Sequence, residues 1–337
     1  MPAEWEMPSA VLLSMPHGGT DWADMLQEVT ECYRKIVAAL VRHKVPVIIA
    51  APDTDSARKA LSGIPDSLMT FFTVQTNDTW TRDYGPIAVS ENGDIRMLDF
   101  KFNGWGLKFA ACHDNLVTRH MVESGIITAP TENHLSFVLE GGSIESDGRG
   151  TIMTTSHCLL SPNRNGAMSP GEITDYLKKT LGAERVLWLS KGALMGDDTD
   201  SHIDTLARLA PHDTIIYTGC DDESDPHYEE LNEMEKGIQK FRTADGAPYN
   251  LIRLPLPDAR YDEDGNRLPA TYANYLVLPE VVLMPSYGNE LKDRTAAGML
   301  QMVFDKDVEC IDCNSLIKQH GSLHCATMQI PREALCI

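Results

Sequence analysis

A thiol near the end of the chain stands among residue types that suit nucleophilic chemistry. Gly321-Ser322-Leu323-His324-Cys325 runs from glycine and serine through histidine to cysteine. A lone cysteine is more often a small buried hydrophobe than a nucleophile. Three upstream clusters alter that weighting: Asn77-Asp78-Thr79-Trp80-Thr81-Arg82-Asp83, Leu139-Glu140-Gly141-Gly142-Ser143, and Gly196-Asp197-Asp198-Thr199-Asp200-Ser201-His202-Ile203-Asp204. A thiol, an imidazole and several carboxylates together suit thiolate attack on a cationic carbon.

Cys325 needs a lowered pKa or a nearby base, because the thiolate is the attacking form. His202 is the candidate partner, and an extended Ser201–Asp204 run would set Asp204 on the same strand face. Each residue also has a plainer reading. His202 can serve as a structural bridge, Asp83 and Glu140 as solvated charges, Trp80 as core, and Gly141-Gly142 as a tight backbone path. Asp197, Asp198 and Asp200 read either as a solvated loop or as partners for a cationic group.

A competing constellation is Cys310-Ile311-Asp312-Cys313 with His320 and His324. These are the ligand types of a Cys2His2 zinc site, and would make the chain a zinc-stapled interaction module without catalysis. The gap between the pairs is shorter than in the usual finger. Thioredoxin-like redox chemistry fits less well, since the flanking residues lack the aromatic and Gly-Pro context.

A formal net charge of −20 argues against a nucleic-acid partner and permits a cationic substrate. Hydrophobic residues at 42% and charged residues at 23% suit a soluble globular chain whose core needs no disulfide or metal. The acidic start and the short apolar run Ala10–Met15 predict neither a signal peptide nor a membrane span. The scattered cysteines read as reduced thiols, so a cytoplasmic location is expected. Cys32, Cys158 and Cys220 are expected to be dispensable for catalysis. Composition leaves self-association into a homo-oligomer open.

These candidates must be held by a scaffold, and the scaffold repeats. A strand at Val11–Met15 precedes a helix from Asp21, its N-cap, to about Lys44; strands follow at Val45–Ala51 and Met69–Gln75, with a short helix between them. Then a strand, a tight turn, a second strand and a helix recur. The turns fall at Asn92-Gly93-Asp94, Asp147 to Gly150, Pro211-His212-Asp213 and Pro279-Glu280, roughly 55 to 70 residues apart. The helices are expected near Asn115–Ser124, Ser169–Leu181, Asp225–Phe241 and Asn289–Phe304. A last strand, Ser322–Ile330, would pair with Val11–Met15 and close a ring of five α/β units, removing open sheet edges. No Pro-, Gly- or Ser-rich linker interrupts residues 1–337, so one domain is expected. Asp83, Glu140, His202 and Asp204 precede their turns by similar distances, so the repeat predicts that they converge with Cys325 on one central mouth.

Taken together, these residues resemble the agmatine deiminases, close relatives of bacterial peptidyl-arginine deiminase. The matching stretches are Asn77 to Pro86, Phe102-Asn103-Gly104-Trp105-Gly106, Leu139 to Ser143, Cys158 to Asn165, Gly196 to Asp204 and Gly321 to Gln329. The resemblance implies the pentein fold, a five-unit α/β propeller. It implies hydrolysis of agmatine to N-carbamoylputrescine and ammonia, a step towards putrescine and polyamines, with arginine or peptidyl-arginine as alternative substrates. Cys325 would be the nucleophile, His202 the general acid and base, and Asp83 and Asp204 the grip on the guanidinium. Glu140, Trp80, Asp78 and Asp198 would support or line the substrate pocket. No metal or organic cofactor is implied. Gln319-His320-Gly321 stands where many agmatine deiminases carry three glycines, and Asp198 where the family often has Glu.

Overall fold

The computed structural model describes residues 1–337. Its strands are β1 Ser9–Ser14, β2 Val47–Ala51, β3 Met69–Thr73, β4 Ile87–Glu91, β5 Asp94–Lys101, β6 Thr131–Val138, β7 Ile144–Ser146, β8 Thr151–Thr155, β9 Arg185–Leu189, β10 Ala207–Ala210, β11 Thr214–Thr218, β12 Asn250–Leu254, β13 Arg260–Tyr261, β14 Arg267–Leu268, β15 Leu276–Val277, β16 Val281–Ser286, β17 Asp307–Asp312 and β18 Met328–Pro331.

One connectivity recurs. β4 pairs antiparallel with β5, and β5 pairs parallel with β6. β7-β8-β9, β10-β11-β12 and β15-β16-β17 repeat the pattern. In the remaining large sheet β18 is antiparallel to β1, which runs parallel to β2, with β3 added outside. No sheet closes on itself. A parallel step needs a crossover, and a helix supplies each one: Leu26–Arg42, Thr54–Ala60, Val117–Glu123, Pro170–Leu181, Tyr228–Ile238 and Glu290–Phe304.

The turns follow their residue types. Asn92 and Gly93 both take positive φ, 54° and 92°, which suits a two-residue hairpin. Ser169 caps the helix Pro170–Leu181 in a reciprocal box with Glu172, and Asn289 caps Glu290–Phe304.

Several boundaries differ from the sequence expectation. Asp21 is not a helix cap. A 3₁₀ turn, Ala23–Met25, intervenes, and the helix begins at Leu26 without a side-chain cap. Met25 lies ahead of it, while Val29, Cys32, Ile36 and Leu40 form the buried stripe. The outer strands β6, β9, β12 and β17 were not foreseen. As sheet edges they are largely half-buried or exposed, and sequences such as Asp307-Val308-Glu309-Cys310 lack a clear period. The expected strand Ser322–Ile330 contracts to β18, so Cys325 sits in a turn ahead of the strand. Ser201–Asp204 is not a strand either. Ile203–Thr205 is a 3₁₀ turn with His202 at its N-cap.

The main hydrophobic core runs from β1 and β2 through the crossover helices to β16 and Cys325. A smaller one gathers Leu189, Ile215, Leu231 and Met234 around Ile203 and Leu206. Those two anchors, both fully buried, hold the turn that carries His202 and Asp204.

Candidate active site

Cys325, His202, Asp83, Trp80, Asp78 and Asp198 line one cleft of about 460 Å³, together with Asp21, Trp105, Phe109, Thr199, Thr205, Gln319, His320 and Gly321. Asp204 is fully buried beneath it, with Oδ2 at 3.9 Å from Cys325 Sγ.

Asp83 reaches the cleft from the short helix Thr81–Tyr84. Thr81 Oγ1 lies 3.0 Å from the carbonyls of Leu12 and of Ala326, and the Arg82 backbone N–H donates to the Cys325 carbonyl at 3.2 Å. The helix is thus fastened to β1 and to the cysteine turn. Asp83 Oδ2 accepts from Trp105 Nε1 at 2.9 Å, Oδ1 accepts from the Gly142 N–H at 3.0 Å, and His202 Nδ1 stands 3.6 Å from Oδ1. A Cβ on Gly142 would lie 2.8 Å from both Asp83 Oδ1 and His202 Nδ1, so this approach requires glycine. Burial pushes the Asp83 carboxyl up to about 6; His202 opposes the shift and Asp204 adds to it.

Burial alone would depress His202, but Asp83, then Cys158 and Glu140, hold its imidazole well above the usual range. Its Nε2 is buried with no hydrogen-bond partner. Asp204 is the reverse case. Burial disfavours its charge, yet His324 and then His202 hold the carboxyl below the usual range. Its Oδ2 accepts from His324 Nδ1 at 2.7 Å, and its Oδ1 has no partner. The carboxylate facing His202 is therefore Asp83, not Asp204.

The Cys325 Sγ lies 3.2 Å from Asn274 Nδ2. Burial, then the charges of Asp204 and Asp83, push this thiol well above the usual range. These directions favour a protonated thiol and a charged imidazole here, with Asp83 and Asp204 as the negative groups beside them. A cation entering there offsets both carboxylates and favours the thiolate.

Glu140 does not line the cleft. It lies behind His202, where both its oxygens accept from Arg164 Nε at 2.9 and 3.0 Å with neither side chain exposed. Arg164 also meets Asp200 at 2.6 Å, and Lys108 meets Asp200 at 2.7 Å. Asp197 is occupied by Thr199 and Ser201. Of the three loop aspartates only Asp198 lines the cleft, with its carboxylate free of hydrogen bonds from the chain. Trp80 packs on Trp22, with ring centroids 5.7 Å apart, and a Cβ on Gly321 would strike its ring. Asp78 Oδ1 accepts from the Thr79 N–H at 2.7 Å, and burial lifts its carboxyl to about 6.

The cleft also contains residues that sequence reasoning did not assign. Trp105 takes a left-handed backbone, φ 53°, between Gly104 and Gly106, which turns its indole onto Asp83. Asn103-Gly104-Trp105-Gly106 carried that signal. Asp21 and Phe109 gave none, nor did Asn274, which touches Cys325 without lining the cleft. Cys158, expected to be dispensable for catalysis, has its thiol within 4.8 Å of Glu140 and His202 side-chain atoms. The zinc constellation does not assemble. His320 Nδ1 meets the Gly196 carbonyl, His324 is held by Asp204 and Glu4, Cys310 is exposed, and Cys313 lies buried beside Cys32.

Similarity to known proteins accords with this site. A family model described as Porphyromonas-type peptidyl-arginine deiminase matches residues 1–331. A Porphyromonas gingivalis structure, provisionally named arginine deiminase, is 46% identical with a TM-score of 0.94, covering 100% of this chain and 99% of that one. A C. jejuni agmatine deiminase, a cysteine-to-serine variant with substrate bound, is 35% identical with a TM-score of 0.91, covering 98% and 95%. The agmatine deiminase of Medicago truncatula is 30% identical, covering 98% of this chain and 96% of its own length. The α/β fold also has pentein-superfamily neighbours at low identity: a dimethylarginine dimethylaminohydrolase and a Streptomyces griseus amidinotransferase, with TM-scores of 0.53 and 0.54. No helix is long and apolar enough to cross a membrane. By a match that spans nearly its whole length and includes every element of the cleft, the chain belongs to the Porphyromonas-type peptidyl-arginine deiminase family.

Proposed function

We propose that this protein hydrolyses agmatine to N-carbamoylputrescine and ammonia. The observation that carries the reading is the pair of buried carboxylates, Asp83 and Asp204, beside the Cys325 thiol, with Asp204 Oδ1 left without a partner. A guanidinium offers planar N–H groups that match two carboxylates and orient its central carbon.

The cation's arrival lowers the Cys325 pKa, and the thiol proton leaves for solvent. The thiolate forms an S–C bond, giving a neutral tetrahedral adduct. The His202 imidazolium protonates one nitrogen, the C–N bond breaks, ammonia departs, and a cationic thiouronium remains. Neutral His202 then takes a proton from water. The new C–O bond forms, the S–C bond breaks, and loss of the hydroxyl proton yields the ureido product. Trp80, Asp78 and Asp198 wall the cleft, while Glu140 supports His202 from behind.

Relatives named agmatine deiminase, one of them a substrate-bound cysteine-to-serine variant, support this reading. The name of the P. gingivalis relative and the family description favour arginine or peptidyl-arginine as a second reading. Against it, Asp198, Asp78 and Asp21 at the mouth suit a remote ammonium better than a carboxylate. Ammonia release from agmatine, arginine and a blocked arginine peptide decides between them. Cys325→Ser should abolish turnover of whichever is used while leaving the fold intact.

The repeated sheets and the β1–β18 pair support the finer architecture, a five-unit propeller in one domain joined at the chain ends. A cytoplasmic location is part of the same proposal, resting on cysteines scattered through a long chain. The partner is a small guanidine, with neither nucleic acid nor membrane.

A further inference from the structure

Glu4 lies outside the catalytic cleft, yet it touches the chain neighbours of two residues that line it, and an arginine beneath them. Its Oε1 is 2.6 Å from His324 Nε2 and 3.0 Å from Arg82 Nη1, and its Oε2 is 2.9 Å from Arg208 Nη2. His324 precedes Cys325, and Arg82 precedes Asp83. Arg208 donates to the carbonyls of Ala273 and Tyr275, which flank Asn274, at 3.1 and 2.7 Å.

The first residues are held firmly enough to place this carboxylate. The Met1 ammonium donates to the Leu181 carbonyl at 2.6 Å, Ser146 Oγ donates to the Met1 carbonyl at 2.8 Å, and the Ala3 N–H donates to Glu6 Oε2 at 3.0 Å.

The contact of most consequence is with His324. The ring is 1% exposed and spans two carboxylates, with Nδ1 at 2.7 Å from Asp204 Oδ2 and Nε2 at 2.6 Å from Glu4 Oε1. Two carboxylates this close call for a proton on each nitrogen, although burial and the Arg208 and Arg82 guanidiniums disfavour the charged ring; held at both nitrogens, it cannot rotate about χ2 without breaking a hydrogen bond. Asp204 is held in turn at Oδ2 alone, so His324 sets the plane of the carboxylate whose Oδ1 is left without a partner. Without Glu4, Nε2 would keep only Arg208 Nη2, 3.1 Å away, which suits it as an acceptor, and the charged ring would lose its second carboxylate.

We infer that Glu4, acting through His324, is a positioning residue for Asp204, so that the first turn of the chain completes the guanidine-binding site. The inference rests on the guanidine reading of the cleft.

The test uses the full chain carrying Glu4→Gln or His324→Gln. Cys325 is alkylated with chloroacetamidine, a small amidinium cation, and separately with neutral iodoacetamide. The ratio of the two rates reports how well the carboxylates hold a cation beside the thiol, and needs no agmatine turnover. Glu4→Gln should lower that ratio by about tenfold, with the iodoacetamide rate changed less than about threefold. Glu4→Asp should restore part of it. KM for agmatine should rise with a smaller change in kcat. A purely structural role would lower the melting temperature and move both alkylation rates together, leaving the ratio unchanged; that result overturns the inference. If Glu4→Gln does not fold, Glu4→Asp is read on the same ratio, and an unchanged value overturns it equally. A reduced ratio in a protein inert towards agmatine would sink the substrate assignment and leave this inference standing.

Discussion

Asn274 holds the Cys325 thiol and its backbone at once. Nδ2 is 3.2 Å from Sγ, while Oδ1 accepts from the backbone N–H of His324 at 2.9 Å and of Cys325 at 3.3 Å. The two backbone donors identify the accepting end of the amide as Oδ1, which itself lies 3.4 Å from Sγ. Asn274→Ala should therefore misplace the nucleophile rather than remove it. A fall of roughly 10²-fold in kcat is expected, of the size that a small misplacement costs. Steady-state kinetics on a variant with an unchanged circular dichroism spectrum checks this.

Asp83 makes the acid limb of the pH profile predictable in sign. Its carboxyl titrates near about 6 in the empty cleft and must be ionised to attract the cation, so kcat/KM should fall as pH drops through that value. The Trp105 indole N–H stabilises the ionised form. Trp105→Phe removes that donor, so the limb should move to higher pH. A limb that stays in place or moves down would refute the coupling.

Cys158 should matter after all. Its sulfur, once ionised, favours the charged form of the His202 imidazole, and since burial pushes this thiol up, that help comes on the alkaline side. Cys158→Ala removes that help, so His202 should lose its proton at lower pH and the alkaline limb should shift down. Cys32→Ser and Cys220→Ser serve as controls, and neither should move that limb. Equal profiles for all three variants would return Cys158 to a packing role.

Asp198 should set selectivity. Agmatine carries only an ammonium at its remote end, whereas arginine adds a carboxylate that an acidic mouth repels. Agmatine should exceed arginine by about 10³ in kcat/KM, roughly 4 kcal/mol. Asp198→Asn should raise KM for agmatine and narrow that gap. Comparable values for the two substrates in the unaltered protein would overturn the agmatine assignment.

The sequence disclosed the reacting groups better than their surroundings. Cys325, His202, Asp83 and Asp204 stood out because thiol, imidazole and carboxylate in matching phase have few joint structural uses, and the structure brings them together. Their local backbone was less legible. Leu323, Cys325 and Thr327 alternate like a strand, but the segment turns, and long-range bonds to Asn274 hold it. Asn274 itself sat inside an apolar run read as strand interior, and nothing local marks a contact 51 residues away. Outer strands such as Arg185–Leu189 were hidden because a sheet edge need not alternate. Glu4 looked like an ordinary solvated charge until its three cationic or imidazole partners were in place.

The antiparallel pair of β18 with β1 also bears on how the protein is made. β1 emerges from the ribosome among the earliest segments, yet its partner across that edge is Met328–Pro331, almost the last. Through most of synthesis one side of a wholly buried strand, Ser9-Ala10-Val11-Leu12-Leu13-Ser14, waits without backbone partners. An open apolar edge of this kind invites pairing with other chains. The turn that carries Cys325 lies just ahead of β18, so it too is made late. Translation that stops short of β18 therefore leaves this strand edge open to other chains.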